Sequence, residues 1–134
     1  MTDHELQIWL KTLEYKRGIG ATQWTVLGVF LTASEATFIF GLTQSDGGCR
    51  AFMLVLAFSL YWLGYSLFKR YRELNRAVSR YLMKLEGDSG GLQTDLNKFH
   101  ETGLTTKTLL FSSGLIYTVL CLAAIFWHLP VRKP

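Results

Sequence analysis

Residues 51–68 read AFMLVLAFSLYWLGYSLF. These 18 positions carry no charged side chain, and wound into a helix they are apolar on every face. Arg50 stands before them and Lys69-Arg70 directly after. A helix rises about 1.5 Å per residue, so about 20 apolar residues cross the hydrocarbon core of a bilayer. The stretch therefore reads as a transmembrane helix over 51–69.

Two further windows flank it. Gly18 to Ser34 is free of charge, and beyond Glu35 charge stays absent to Ser45. Thr108 to Val131 is a gap of 24 residues. These place spans at 20–43 and 106–128. The averages alone, 49% hydrophobic and 18% charged with a mean hydropathy of +0.19, would also suit a soluble bundle. The clustering of charge decides against one. The expected fold is all-α: one integral membrane domain over 1–134 with three transmembrane helices. An amphipathic helix over 1–19 precedes them, and a cytoplasmic helical segment over 70–105 extends the second span. With two cysteines, Cys49 and Cys121, the chain is no disulfide scaffold. Met1 to Arg17 is charged and lacks the apolar stretch of a signal peptide.

Lysine and arginine near span ends set orientation. Eleven of the 14 fall before the first span or between the second and third; Arg50, Arg132 and Lys133 fall on the other side. The N-terminus and the 70–105 segment are therefore expected in the cytoplasm and the C-terminus outside. Gly47-Gly48 marks a tight turn between the first two spans, and Gly87 to Gly91 a break in the cytoplasmic segment.

Thr2 with Glu5 forms a capping-box pattern. Leu6, Trp9, Leu10 and Leu13 then share one helix face. That face lies either on the membrane surface or on the protein's own cytoplasmic helix. After the second span, Tyr71, Leu74, Val78, Tyr81 and Leu85 recur at heptad-like spacing, a candidate oligomer seam. No glycine or proline separates them from the span, so one helix is expected from about Arg50 to Glu86. On it Arg72, Arg76, Arg80 and Lys84 recur every fourth residue as a basic face. Residues 69–86 hold six cations and two anions, which equals the formal +4 of the whole chain. Three readings compete for this face: attraction to anionic lipid, a docking surface for an acidic protein or signal, or a basic collar around an oligomer's vestibule. Nucleic-acid recognition is not expected. A short helix over 94–102 is expected to return the chain to the third span.

Glu35 is the sharpest residue. An ionised carboxylate near mid-span costs at least ~2.5 kcal/mol, so it must face protein or water, be paired, or be protonated. Thr25, Gly28, Thr32 and Glu35 fall on one side of the helix with Ala21 and Ala36. Two readings stand. Either these residues line a cation path in a symmetric oligomer, or they make a helix contact in which the acid is sealed by a neighbour's hydroxyl, Tyr117 being one donor. In the third span Gly114, Thr118 and Cys121 form a small-residue face suited to helix packing. His4, His100 and His128 have no metal-ligand spacing, and no phosphate loop or nucleophile turn appears. No catalytic residue, metal or cofactor is expected.

The plan resembles small bacterial multi-pass membrane proteins of the SLATT type, effectors of bacterial conflict systems. The shared features are Glu14-Tyr15 in the first amphipathic helix, the helical hairpin, and Tyr81-Leu82 with Glu86 closing the cytoplasmic helix. The likeness covers about residues 10–90, and the third span departs from the two-span SLATT plan. It implies a bacterial inner-membrane location, homo-oligomerisation into a pore and a role in antiviral defence. The leading expectation is thus an oligomeric channel or pore with Glu35 in the path and the basic helix as collar or sensor. The alternative is a non-conducting adaptor that docks a soluble partner on the cytoplasmic helix.

Overall fold

A computed structural model of the protein describes residues 2–87 and 106–127. Among the described residues there are three helices: α1 (Asp3–Thr43), α2 (Gly47–Glu86) and α3 (Thr106–Trp127). Each is long and apolar enough to cross a membrane. The expected helix over 94–102 lies outside the described residues.

α1 is one rod of 41 residues, about 60 Å at 1.5 Å per residue. The expected amphipathic helix is therefore its first half and not a separate element. The Thr2–Glu5 capping box opens it, with Glu5 N–H donating to Thr2 Oγ1 and Thr2 N–H to Glu5 Oε2. No proline falls within it, and Gly18 and Gly20 cost only about 1 kcal/mol each against alanine. Packing along its length offsets that cost.

α2 is likewise continuous over 40 residues. Its start corrects the reading of Gly47-Gly48 as the turn. The chain reverses over Gln44 to Asp46, and Asp46 caps α2 by accepting from the Cys49 N–H at 2.8 Å. The two glycines are the first helical residues. Arg50 reaches back to donate to the Leu42 and Gln44 carbonyls, so the reversal is tied from both sides. Gly87 closes α2 with φ of 68°, a backbone state that disfavours any residue with a Cβ.

α1 and α2 pair antiparallel from end to end. Gly41 meets Met53 and Leu54, Phe30 meets Gly64, Trp24 stands edge-on to Phe68, and Trp9 Nε1 donates to Glu86 at 3.3 Å. The first half of α1 thus runs along the last half of α2, with Trp9 and Leu13 half-buried and Leu6 and Leu10 of the same face exposed. Along α2 the buried residues are Leu54, Ala57, Tyr61, Gly64, Phe68, Ser79 and Leu82. As far as Phe68 their spacing alternates between three and four residues, and Ser79 and Leu82 fall in the same phase, a coiled-coil seam.

α3 lies against α2 through its small-residue face. Gly114 rests on the rings of Tyr61 and Trp62; a Cβ there would stand 2.7 Å from Tyr61 Cε1. The Tyr61 hydroxyl donates to the Leu110 carbonyl at 2.8 Å and meets the Ser113 hydroxyl at 2.6 Å. Trp62 Nε1 donates to Thr118 Oγ1 at 3.2 Å, and Thr118 donates in turn to the Gly114 carbonyl. Buried polar groups between these helices thus have partners, as an apolar surrounding requires.

Candidate functional site

Ser34 and Glu35 are neighbours in sequence and about 100° apart on α1. Ser34 is the one that enters the bundle, at 1% exposure. Its hydroxyl donates to the Ala57 carbonyl of α2 and lies 2.9 Å from the Tyr117 hydroxyl of α3. Tyr117 also stacks on Tyr61, with ring centroids 5.2 Å apart. The bond expected between Tyr117 and Glu35 is therefore made to Ser34.

Glu35 points outward and is exposed, as are Thr25, Gly28 and Thr32. Thr25, Gly28 and Thr32 line an open groove with Trp24, Val29, Ala33 and Ala36; Glu35 is not part of its lining. The Thr25 hydroxyl is spent on the Ala21 carbonyl at 2.9 Å. Nothing lies within 4 Å of where a Cβ on Gly28 would sit. Among the described residues nothing packs over this exposed face, and no second helix covers Glu35.

The second candidate region is the part of α2 beyond its span. There the interior line runs Phe68, Arg72, Asn75, Ser79 and Leu82, in phase with the seam of the span. The expected seam, Tyr71, Leu74, Val78, Tyr81 and Leu85, keeps the same period but lies one residue away. It forms a flank beside the α1 contact, with Leu74 and Tyr81 exposed and the other three half-buried. The basic face forms the opposite flank. Arg76, Arg80 and Lys84 are exposed, whereas Arg72 turns partly into the α1–α2 seam.

That turn has electrostatic consequences. Arg72 Nη1 and Asn75 Oδ1 are both buried with no hydrogen-bond partner. Burial lowers the Arg72 pKa, and the Arg76 charge one turn away lowers it further. Lys16, on the same stretch of α1, is also pushed down by burial, partly opposed by Glu86. Glu5 is held below the usual carboxylate range by its bonds to the Thr2 backbone and hydroxyl.

In α3, Gly114 and Cys121 are buried and Thr118 is half-buried. Cys49 and Cys121 are both free thiols. His100 and His128 lie outside the described residues. Ser34, Gln23 and Asn75 were not singled out from the sequence as interior groups, and Tyr117 was singled out only as a donor to Glu35. The signal that finds them is the phase of the seam in the span, carried along each helix.

No family model matches the chain, and no curated protein or solved structure is similar to it.

Proposed function

We propose that this chain is a homo-oligomeric membrane protein that forms a cation-conducting path, with Thr25, Gly28, Thr32 and Glu35 of each copy turned toward it. One observation carries the reading: Glu35 is exposed on the outside of the three-helix unit, on the side of α1 that also carries Thr25, Gly28 and Thr32. In a bilayer, a lone copy would hold that carboxylate against lipid at a cost of at least ~2.5 kcal/mol. Further copies around the same face replace lipid by protein and water. Three helices packed on one another leave no aqueous path of their own, so the path lies between copies, with closed rotational symmetry. The long α1–α2 rod would stand beyond the membrane as a cytoplasmic collar.

A second reading has its own support. Leu74 and Tyr81 leave an apolar flank open on α2, 42% and 48% exposed. A non-conducting adaptor would dock a soluble partner there, with Glu35 buried between copies as a structural acid.

Ion flux into liposomes tests the proposal. Wild type is expected to pass cations, and Glu35→Gln to lose most of the flux or its cation preference. Absence of flux in both, or a monomer in nanodiscs, overturns the pore. Capture of a soluble partner by the α2 flank in that case establishes the adaptor.

A further inference from the structure

The α1–α2 seam changes character where the span of α2 ends. Inside the span it is Leu27, Leu54, Ala57, Tyr61 and Phe68; beyond, it takes in Gln23, Arg72, Asn75 and Ser79. Gln23 is 6% exposed. Trp24 on Phe68 sets Gln23 opposite Lys69 and Trp9 on Glu86 sets it opposite Arg72, so Gln23 lies within about one turn of Arg72 along the pair. A buried guanidinium nitrogen, a buried amide oxygen and a buried glutamine therefore lie within about two turns of one another along the pair.

Cations gather around that stretch from two helices. Lys69, Arg72 and Arg76 lie at i, i+3 and i+7 on one face of α2. Tyr65 and Phe111 pack together with ring centroids 6.1 Å apart. Lys69 follows Tyr65 by one turn and Lys107 precedes Phe111 by one turn, so both charges stand one turn beyond the same aromatic pair. On α1, Gly20 is half-buried near this height, and a Cβ there would meet nothing within 4 Å. The site therefore has room as well as charge. Trp24, 56% exposed, offers apolar surface directly on the span side.

We propose that Arg72, flanked by Lys69, Arg76 and Lys107, binds a phosphate group at the boundary between the spans and the α1–α2 rod, carried by an anionic lipid headgroup or free in solution. An oxyanion supplies the partner that Arg72 Nη1 lacks, and guanidinium–phosphate pairs are among the stronger hydrogen bonds in proteins. The remainder of the basic face does not belong to this site. Arg80 and Lys84 stand about 12 and 18 Å farther along the helix than Arg72. That exceeds the screening length of about 8 Å at physiological salt. The lipid source rests on the membrane-spanning reading above; the phosphate chemistry does not.

Native mass spectrometry of the purified full chain with phosphatidylglycerol or phosphatidylcholine tests it, beside melting in lipid-free detergent with added inorganic phosphate. Wild type is expected to retain phosphatidylglycerol over phosphatidylcholine, to melt higher with phosphate, or both. Arg72→Gln is expected to weaken that binding about tenfold, the scale of one charge-assisted hydrogen bond. Arg72→Lys should fall between, and Arg80→Gln should match wild type. A response to phosphatidylglycerol alone identifies the lipid headgroup as the source, and a response to inorganic phosphate alone the free anion. Phosphate binding by a protein that does not float with liposomes keeps the site and removes the membrane reading. Equal retention of the two lipids with no phosphate response overturns the site, and that wild-type comparison holds even if Arg72→Gln does not fold. Equal losses in Arg72→Gln and Arg80→Gln overturn it too.

Discussion

Ser34 of α1 and Tyr117 of α3 tie the bundle across its middle: their hydroxyls lie 2.9 Å apart, and Tyr117 donates to the Ser34 carbonyl at 3.2 Å. The same serine donates to the Ala57 carbonyl of α2 at 2.8 Å. One small side chain thus joins all three helices. Ser34→Ala and Tyr117→Phe should each lower stability by about 0.5–1.5 kcal/mol. Because they share one network, the double variant should lose less than the sum. Thermal melting in detergent of the two single variants and the double one measures this. Additive losses would show the bond to be incidental.

Glycines at the helix contacts and on the open face of α1 act differently. A Cβ on Gly64 would stand 2.5 Å from Phe30 Cβ, and one on Gly114 2.7 Å from Tyr61 Cε1. Gly64→Ala and Gly114→Ala should therefore destabilise by about 1–3 kcal/mol through overpacking. Gly28 faces open space, so Gly28→Ala should stabilise the isolated chain by up to about 1 kcal/mol through helix propensity. If copies meet on that face, the same change should weaken the oligomer. Melting and oligomer mass on the three variants separate the effects.

The outer face of α1 can be read directly by crosslinking. In a Cys49→Ser, Cys121→Ala background, Gly28→Cys and Thr32→Cys should form disulfides between copies in membranes. Ala57→Cys should not, since Ala57 is 0% exposed between α1 and α2. Crosslinks absent at both outer positions would count against assembly through this face.

Lys16 provides a pH test of the rod. Burial is the larger influence on it and lowers its pKa below 10.5, while Glu86 pulls the other way. Between the lowered folded value and 10.5 the unfolded chain binds more protons, so stability from this group rises with pH in that window. At lower pH the ammonium is charged in both states and its desolvation cost is constant. Lys16→Met should remove this alkaline rise without unfolding the helix. Melting temperatures of the two proteins compared across that window decide the matter; parallel curves would show that Lys16 is solvated.

The spans and the two long helices were legible because they depend on composition along the chain. A run of 18 uncharged residues in 51–68 says the same thing whatever packs against it. The unbroken passage of α2 beyond its span follows from the absence of proline and glycine. The capping box is local to four residues and was legible for the same reason. The reversal at Gln44 to Asp46 was less so, since glycine serves a helix start as readily as a turn, and the Asp46 cap decides between them.

Rotation of each helix about its axis was a different matter. Moving one residue along a helix turns the side chain by about 100°, and two adjacent lines of one period are equally good on paper. Apolar content marked Tyr71 to Leu85 as a seam between copies and left open which line meets α1 within one copy. The bundle uses the line through Arg72, Asn75 and Ser79, because Leu54 to Phe68 had set the phase within the span and a rigid helix carries it onward. The same rotation places Ser34 inside and Glu35 outside. Composition along the chain was enough to identify helices that can span a membrane. Which carboxylate, hydroxyl or guanidinium faces inward depended on the packing of three rods, a property of their contacts and not of any one stretch.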